Sequence, residues 1–278
     1  MNKTVFIADF FADEIPGGGE LNNKEFIDII RSSGFAVEKI KSERVTTSVI
    51  QANKDCNFIV ANFIGLREDV KESLYDKKYV IYEHDHKYLR ARNPALYKDF
   101  KAPADEIINY DFYQNALSVI CQSSFHKGIV EKNLNLQNVC SVGGNLWSTE
   151  TIDFLEGLSH VHRANKCSIM NSNIPHKNTI DAVRYCKVKN LDFELIPSLP
   201  YHDFLRSLTK NNTFVFFPKT PETLSRVVVE ARMVGMKVIT NSQVGATQEE
   251  WFQLKGEPLI RLMREKRQQI PSLIMKKF

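Results

Sequence analysis

Residues 213–240 read TFVFFPKTPETLSRVVVEARMVGMKVIT, and this stretch decides the fold class. An apolar run of strand length (213–217) stops at Pro218. A run of helical period (222–234) stops at Gly235, and a second apolar run (237–240) follows. Strand, helix and strand in that order make the βαβ unit of a parallel sheet. Two carboxylates, Glu222 and Glu230, fall eight positions apart on the expected helix. Glu222 would open it, where a negative charge suits the free amides and the positive end of the dipole. Glu230 has Val227, Met233 and Val234 as its i−3, i+3 and i+4 neighbours. A carboxylate on so apolar a face must find a partner or shift its pKa, and Arg226, four residues earlier, is one available partner.

The same alternation runs outward over the whole chain. Strands are expected at 4–8, 36–40, 57–61, 79–82, 117–121 and 139–142, then at 167–170, 193–196, 213–217 and 237–240. Helices are expected at 23–32, 107–115, 124–133, 177–189, 202–210, 222–234 and 257–270. The pattern is α/β: two doubly wound, Rossmann-like domains of near-minimal size, 1–150 and 151–278. The segment 145–165 reads as their connection.

A chain of 278 residues with 43% hydrophobic and 25% charged residues has a globular profile. Its apolar runs fall well short of the roughly 18 residues of a membrane span. No secretory h-region opens the sequence, so a soluble, cytoplasmic protein is expected. The five cysteines are widely spaced without a C-x-x-C pair, which supports neither a zinc ribbon nor a disulfide framework. The net charge of +4 is uneven. Residues 261–278 carry six Lys or Arg against Glu265 alone. Residues 84–101 carry Lys87, Arg90, Arg92, Lys98 and Lys101 against Asp85 and Asp99. Either a solvated basic face or a polyanionic partner explains such runs.

The pattern P-E-x7-E-A, between an apolar strand and G-x-K-V-I-T, resembles the Glu-x7-Glu signature of retaining glycosyltransferases with the two-domain GT-B fold. The resemblance covers most of the second half and touches the first through two motifs. It implies two domains facing a cleft and a nucleotide-sugar donor, a UDP-sugar first. It assigns Glu222 to the sugar, the Thr223 and Leu224 amides to the diphosphate, and Glu230 to the ribose hydroxyls. Chemistry agrees, since a helix N-terminus suits a diphosphate and a carboxylate accepts from vicinal hydroxyls. Lys177 falls where the family neutralises donor phosphate. The preceding Arg position holds Ser172, a departure that leaves Lys219 as a substitute cation. Residues 199–204 fall where the family borders the nucleobase, and a terminal helix often crosses back to the first domain.

In the first half, Pro16-Gly17-Gly18-Gly19-Glu20 follows a strand and precedes a helix. It resembles the family's Gly-Gly-x-E loop, which implies that Gly18 and Gly19 approach the donor; a plain turn is the alternative. Tyr82-Glu83-His84-Asp85-His86 closes the fourth strand, where open α/β sheets place ligands. The resemblance makes His84 the residue that contacts the transferred sugar, with His86 second. A metal held by His84, Asp85 and His86 is disfavoured because successive residues on a strand end point to opposite sides unless the chain turns. No D-x-D occurs, so a metal-independent enzyme is expected, with catalytic His84, Glu222 and Lys177. The segment EHDHKYLRARNPALY interleaves basic and aromatic residues, and together with the small size it resembles bacteriophage enzymes that glycosylate modified DNA bases. Lys87, Arg90 and Arg92 would then contact nucleic acid. A glycan or lipid acceptor is the alternative, as is a non-catalytic nucleotide-sugar-binding protein.

Overall fold

A computed structural model describes residues 3–15 and 17–278. The chain divides into two compact units, one of Met1–Trp147 with Lys266–Phe278 and one of Ser148–Glu265. The first unit contains strands β1 (Thr4–Ala8), β2 (Val37–Lys41), β3 (Asn57–Val60), β4 (Tyr79–Tyr82), β5 (Ser118–Cys121) and β6 (Val139–Ser141). Between them lie helices α1 (Gly18–Ser32), α2 (Thr47–Ala52), α3 (Glu68–Glu72), α4 (Tyr110–Gln114) and α5 (Ser124–Leu134). The second unit holds α6 (Thr149–Ser159), β7 (Ala164–Met170), α7 (Thr179–Val188) and β8 (Phe193–Ile196). It continues with α8 (Tyr201–Leu208), β9 (Asn211–Phe216), α9 (Arg226–Met233) and β10 (Lys237–Thr240). Helix α10 (Glu257–Met275) begins in the second unit, and its residues from Lys266 onward belong to the first.

Both sheets are wholly parallel, ordered β2-β1-β3-β4-β5-β6 and β10-β9-β7-β8. The strand order reverses between β1 and β3 in the first and between β7 and β9 in the second. Alternation of side chains along the central strands explains why helices cover both faces of the six-stranded sheet. Val5, Ile7, Phe58, Val60 and Ile81 enter one core; Phe6, Ala8, Ile59, Val80 and Tyr82 enter the other, where Ile270 and Ile274 of α10 pack. The expected two-unit α/β architecture holds. Among the described residues, no helix is long and apolar enough to cross a membrane.

Several expected elements change. The helix expected at 222–234 begins only at Arg226. Glu222 N–H donates to Gln243 O at 2.8 Å and Gly245 N–H to Glu222 O at 2.9 Å, so a bridge to Val244 holds this backbone extended. Ser225, at φ 73°, then turns the chain into α9. The helix expected at 107–115 shrinks to α4, and 145–165 contains α6, capped by Ser148, whose side chain accepts from Thr151 N–H at 3.1 Å. The chain stops α9 where expected, with Gly235 at φ 89°.

Candidate functional site

In open α/β sheets, ligand chemistry collects beyond the strand carboxyl ends where the strand order reverses. In the second unit two loops meet there, 171–178 after β7 and 217–225 after β9. Asn178 Nδ2 donates to Phe217 O at 2.8 Å, and Lys219 N–H donates to His176 O at 2.8 Å. Lys177 Nζ donates to Glu222 Oε1 at 2.7 Å across the same seam. Lys177 is thus the last residue of a 3-10 turn (Pro175–Lys177), followed by Asn178 at φ 57°, and does not start a helix as expected. Three polar atoms around this pair, Asn178 Oδ1, Ser225 Oγ and Gln243 Oε1, are buried without a partner among the described residues. Orphaned polar atoms of this kind mark a place built for a polar ligand or water.

Glu230 is 2% exposed and is not stranded on an apolar face. Its Oε1 accepts from the Tyr201 hydroxyl at 2.5 Å and lies 3.6 Å from Arg226 Nε. Burial, with the Glu230 charge beside it, pushes the Tyr201 hydroxyl well above the usual phenol range, so it stays a donor. Thr223 and Leu224 were expected at a helix N-terminus. Both instead precede α9 in the extended segment, and Leu224 is fully buried with its carbonyl accepting from Ala246 N–H at 3.0 Å. The reason is the bridge at Glu222, which stops helical geometry from forming there.

In the first unit, Gly18, Gly19 and Glu20 form the first turn of α1; Pro16 of the same motif lies outside the described residues. Glu20 Oε1 accepts from Asn62 Nδ2 at 3.3 Å, and burial raises its carboxyl above the ordinary value. A Cβ on Gly19 would stand 3.4 Å from His84 Cγ, which puts the imidazole against the helix start. His84 Nε2 pairs with Asn23 Oδ1 at 2.6 Å and Nδ1 with Gln122 Nε2 at 2.8 Å. Burial, then the Lys87 charge, pull its pKa down to about 3, so it is neutral.

Lys87 corrects the nucleic-acid expectation. It is 3% exposed, and its ammonium donates inward, to Glu83 Oε1 at 3.1 Å and Asp85 Oδ1 at 2.6 Å. Glu83, fully buried, also accepts from the Tyr113 hydroxyl, and burial lifts its carboxyl to about 7. Asp85 goes the other way: burial would raise it, but Lys87 outweighs that and holds it at about 2. Lys87 therefore brackets the strand end from inside. Arg90 and Arg92 are exposed, each facing an acid, Glu106 at 3.9 Å and Asp85 at 3.5 Å. His86 is likewise interior, 3% exposed with Nδ1 paired to the Tyr88 hydroxyl at 2.9 Å. Among the described residues, no group of three or more His, Cys, Asp or Glu is arranged to hold a metal ion.

Asn23, Gln122 and Gln243 were not singled out by the sequence. Gln122 alone carried a readable signal, as the residue following β5.

No family model matches the chain, and no curated protein sequence matches it. Solved structures share its fold. Anabaena Alr3699/HepE in complex with UDP and glucose superposes with a TM-score of 0.52 at 14% identity, over 89% of this chain and 83% of its own. The same Anabaena protein with UDP gives 0.52 at 13% identity, over 98% and 95%. An alpha-glucosyltransferase in complex with UDP and a 13-mer DNA containing an HMU base gives 0.51 at 11% identity, over 98% and 90%.

Proposed function

We propose that this protein is a glycosyltransferase that moves a sugar from a UDP-sugar to a hydroxyl acceptor, with retention and without a divalent metal. The observation that carries the reading is the Lys177–Glu222 pair at the strand-order reversal of the second unit. A cation and a carboxylate fixed together suit a ligand with phosphate at one end and hydroxyls at the other. The proteins of shared fold, bound to UDP with glucose or with DNA, support the same donor. Lys177 stabilises the charge that grows as the diphosphate leaves, an electrostatic role worth a few kcal/mol. Glu222 and His84 hold the sugar, Glu230 holds the ribose, and Gly18 and Gly19 admit the donor closely.

For the acceptor we propose a hydroxymethylated base in DNA. Arg90, Arg92, Lys98 and Lys101 are exposed on the loop that follows β4, as a phosphate backbone would require. The base would have to be unstacked to reach the donor. The test is transfer from UDP-glucose to a duplex bearing hydroxymethyluracil, with and without EDTA, the product and its anomer being read by mass spectrometry and NMR. Transfer that survives EDTA and gives the α-linkage supports every part. Sugar transfer to glycans or lipids alone would replace the acceptor, and UDP binding without any release of UDP from the donor would leave a non-catalytic binder. The absence of UDP binding would remove the whole reading.

A further inference from the structure

We propose that Gln122 and Asn23 are positioning residues that fix His84 as its Nε2–H tautomer. The strand-end imidazole then offers a hydrogen-bond donor and no free base. The inference rests on the reading of His84 as the sugar-facing residue given above.

The directions of the bonds carry the argument. Gln122 presents its amide nitrogen, which only donates, to Nδ1 at 2.8 Å. Asn23 presents its carbonyl oxygen, which only accepts, to Nε2 at 2.6 Å. A neutral imidazole meets both demands in one way, with the proton on Nε2, and the bond made by one nitrogen sets the tautomer at the other. Both amides are buried, Gln122 at 4% and Asn23 at 0% exposure, so neither is free to turn toward water. The ring is also packed against its neighbours. It rests on Tyr82, centroids 4.7 Å apart, and against the Cβ-less Gly19.

The surrounding charges keep it neutral. Lys87 and His126 oppose protonation, Asp85 favours it, and burial outweighs them all. Glu20, adjacent to Gly19, has its own carboxyl raised by burial. A ligand hydroxyl reaching Nε2–H would therefore share or replace Asn23 Oδ1 as acceptor, and Gln122 would keep the proton in place meanwhile.

The tautomer is directly readable from imidazole ¹⁵N shifts of the full-length protein. Wild type is expected to show a protonated Nε2 and a bare Nδ1 for His84. Gln122→Glu puts a carboxylate against Nδ1 and should move a proton onto it. It should also lower kcat by about 10–100-fold, as for other residues that orient a functional histidine, with KM for the donor little changed. A new pH-dependent limb of kcat, absent in wild type, should accompany it. Asn23→Asp is the second variant: it keeps the acceptor at Nε2, so the Nε2–H tautomer should persist with a raised imidazole pKa. A wild-type Nδ1–H tautomer overturns the proposal, as does an unchanged His84 spectrum in Gln122→Glu. If UDP-glucose supports no turnover in wild type, the functional reading fails, while the ¹⁵N shifts still decide the tautomer.

Discussion

Lys177 Nζ and Glu222 Oε1 lie 2.7 Å apart although 45 residues separate them in sequence. Each residue is thereby the other's occupant before a ligand arrives. A diphosphate and Glu222 compete for one ammonium. Glu222→Gln is therefore expected to bind UDP about 3–10-fold more tightly, the removal of a partly exposed ion pair being worth on the order of 1 kcal/mol. Binding and transfer of UDP-glucose should fall in the same variant. Calorimetry with the two ligands separates the effects, and a parallel loss for both would mean the pair is not competed.

Lys177→Ala should lower turnover more than donor affinity. Charge that grows as the diphosphate departs is felt mainly in kcat. Steady-state kinetics that assign the whole loss to KM would contradict this.

Glu230→Ala is expected to cost stability as well as nucleotide affinity. It leaves Arg226 beside an emptied buried site and removes the acceptor of Tyr201, a change of roughly 3–5 kcal/mol. Tyr201→Phe removes one hydrogen bond and should cost about 1 kcal/mol. Urea unfolding of the two variants, with UDP calorimetry on whichever folds, checks both figures.

Lys87→Met should act as a core substitution and Arg92→Ala as a surface one. Losing the ammonium between Glu83 and Asp85 is expected to destabilise by roughly 3–5 kcal/mol. Arg90→Ala and Arg92→Ala should each stay within about 0.5 kcal/mol of wild-type stability. If they contact duplex DNA, each reduces the salt slope of binding by about 0.9. Denaturant melts and salt-dependent DNA titration distinguish the two classes.

The buried histidines predict an acid limb of unfolding. Burial holds His84 at about 3 and His126 at about 4, below the unfolded value of 6.5. Between those values the unfolded chain binds more protons, so stability rises with pH and is lost as pH falls from about 6.5 toward 3. Glu83, raised to about 7 from 4.5, opposes this by losing stability as pH rises over that range. His126→Asn should flatten the acid limb, and Glu83→Gln should steepen it. Denaturant midpoints measured at pH 7, 5 and 4 report both.

The central strands β1, β3, β4 and β5 were legible because each is a short, largely apolar and wholly buried run, as in VFIA or NFIV, which suits a sheet covered on both faces. The start of α9 was not. Nothing in PETLSR announces that Glu222 pairs with the backbone of residues 243–245, a contact the local pattern cannot encode. Lys87 misled for a related reason. Its neighbours Arg90 and Arg92 are exposed, and only the folded strand end brings Glu83 and Asp85 onto its ammonium. Lys177 and Glu222 were named for separate tasks, and their mutual contact is a tertiary fact. The amides around His84 come from α1 and from the end of β5, two segments that no periodicity links.

Helix α10 gives the chain an order of assembly. Ile270 and Ile274 complete a core whose other members, Phe6, Phe26, Ile59 and Tyr82 among them, are made well before them. Arg267 binds the Trp147 carbonyl at 2.8 Å and also reaches Glu25. One layer of the first unit's sheet must therefore wait, uncovered, until the intervening second unit has emerged. A fragment ending at residue 147 should be soluble only with a chaperone or an added peptide of residues 266–278, and the peptide's ability to rescue it in trans would measure how much of that core it supplies.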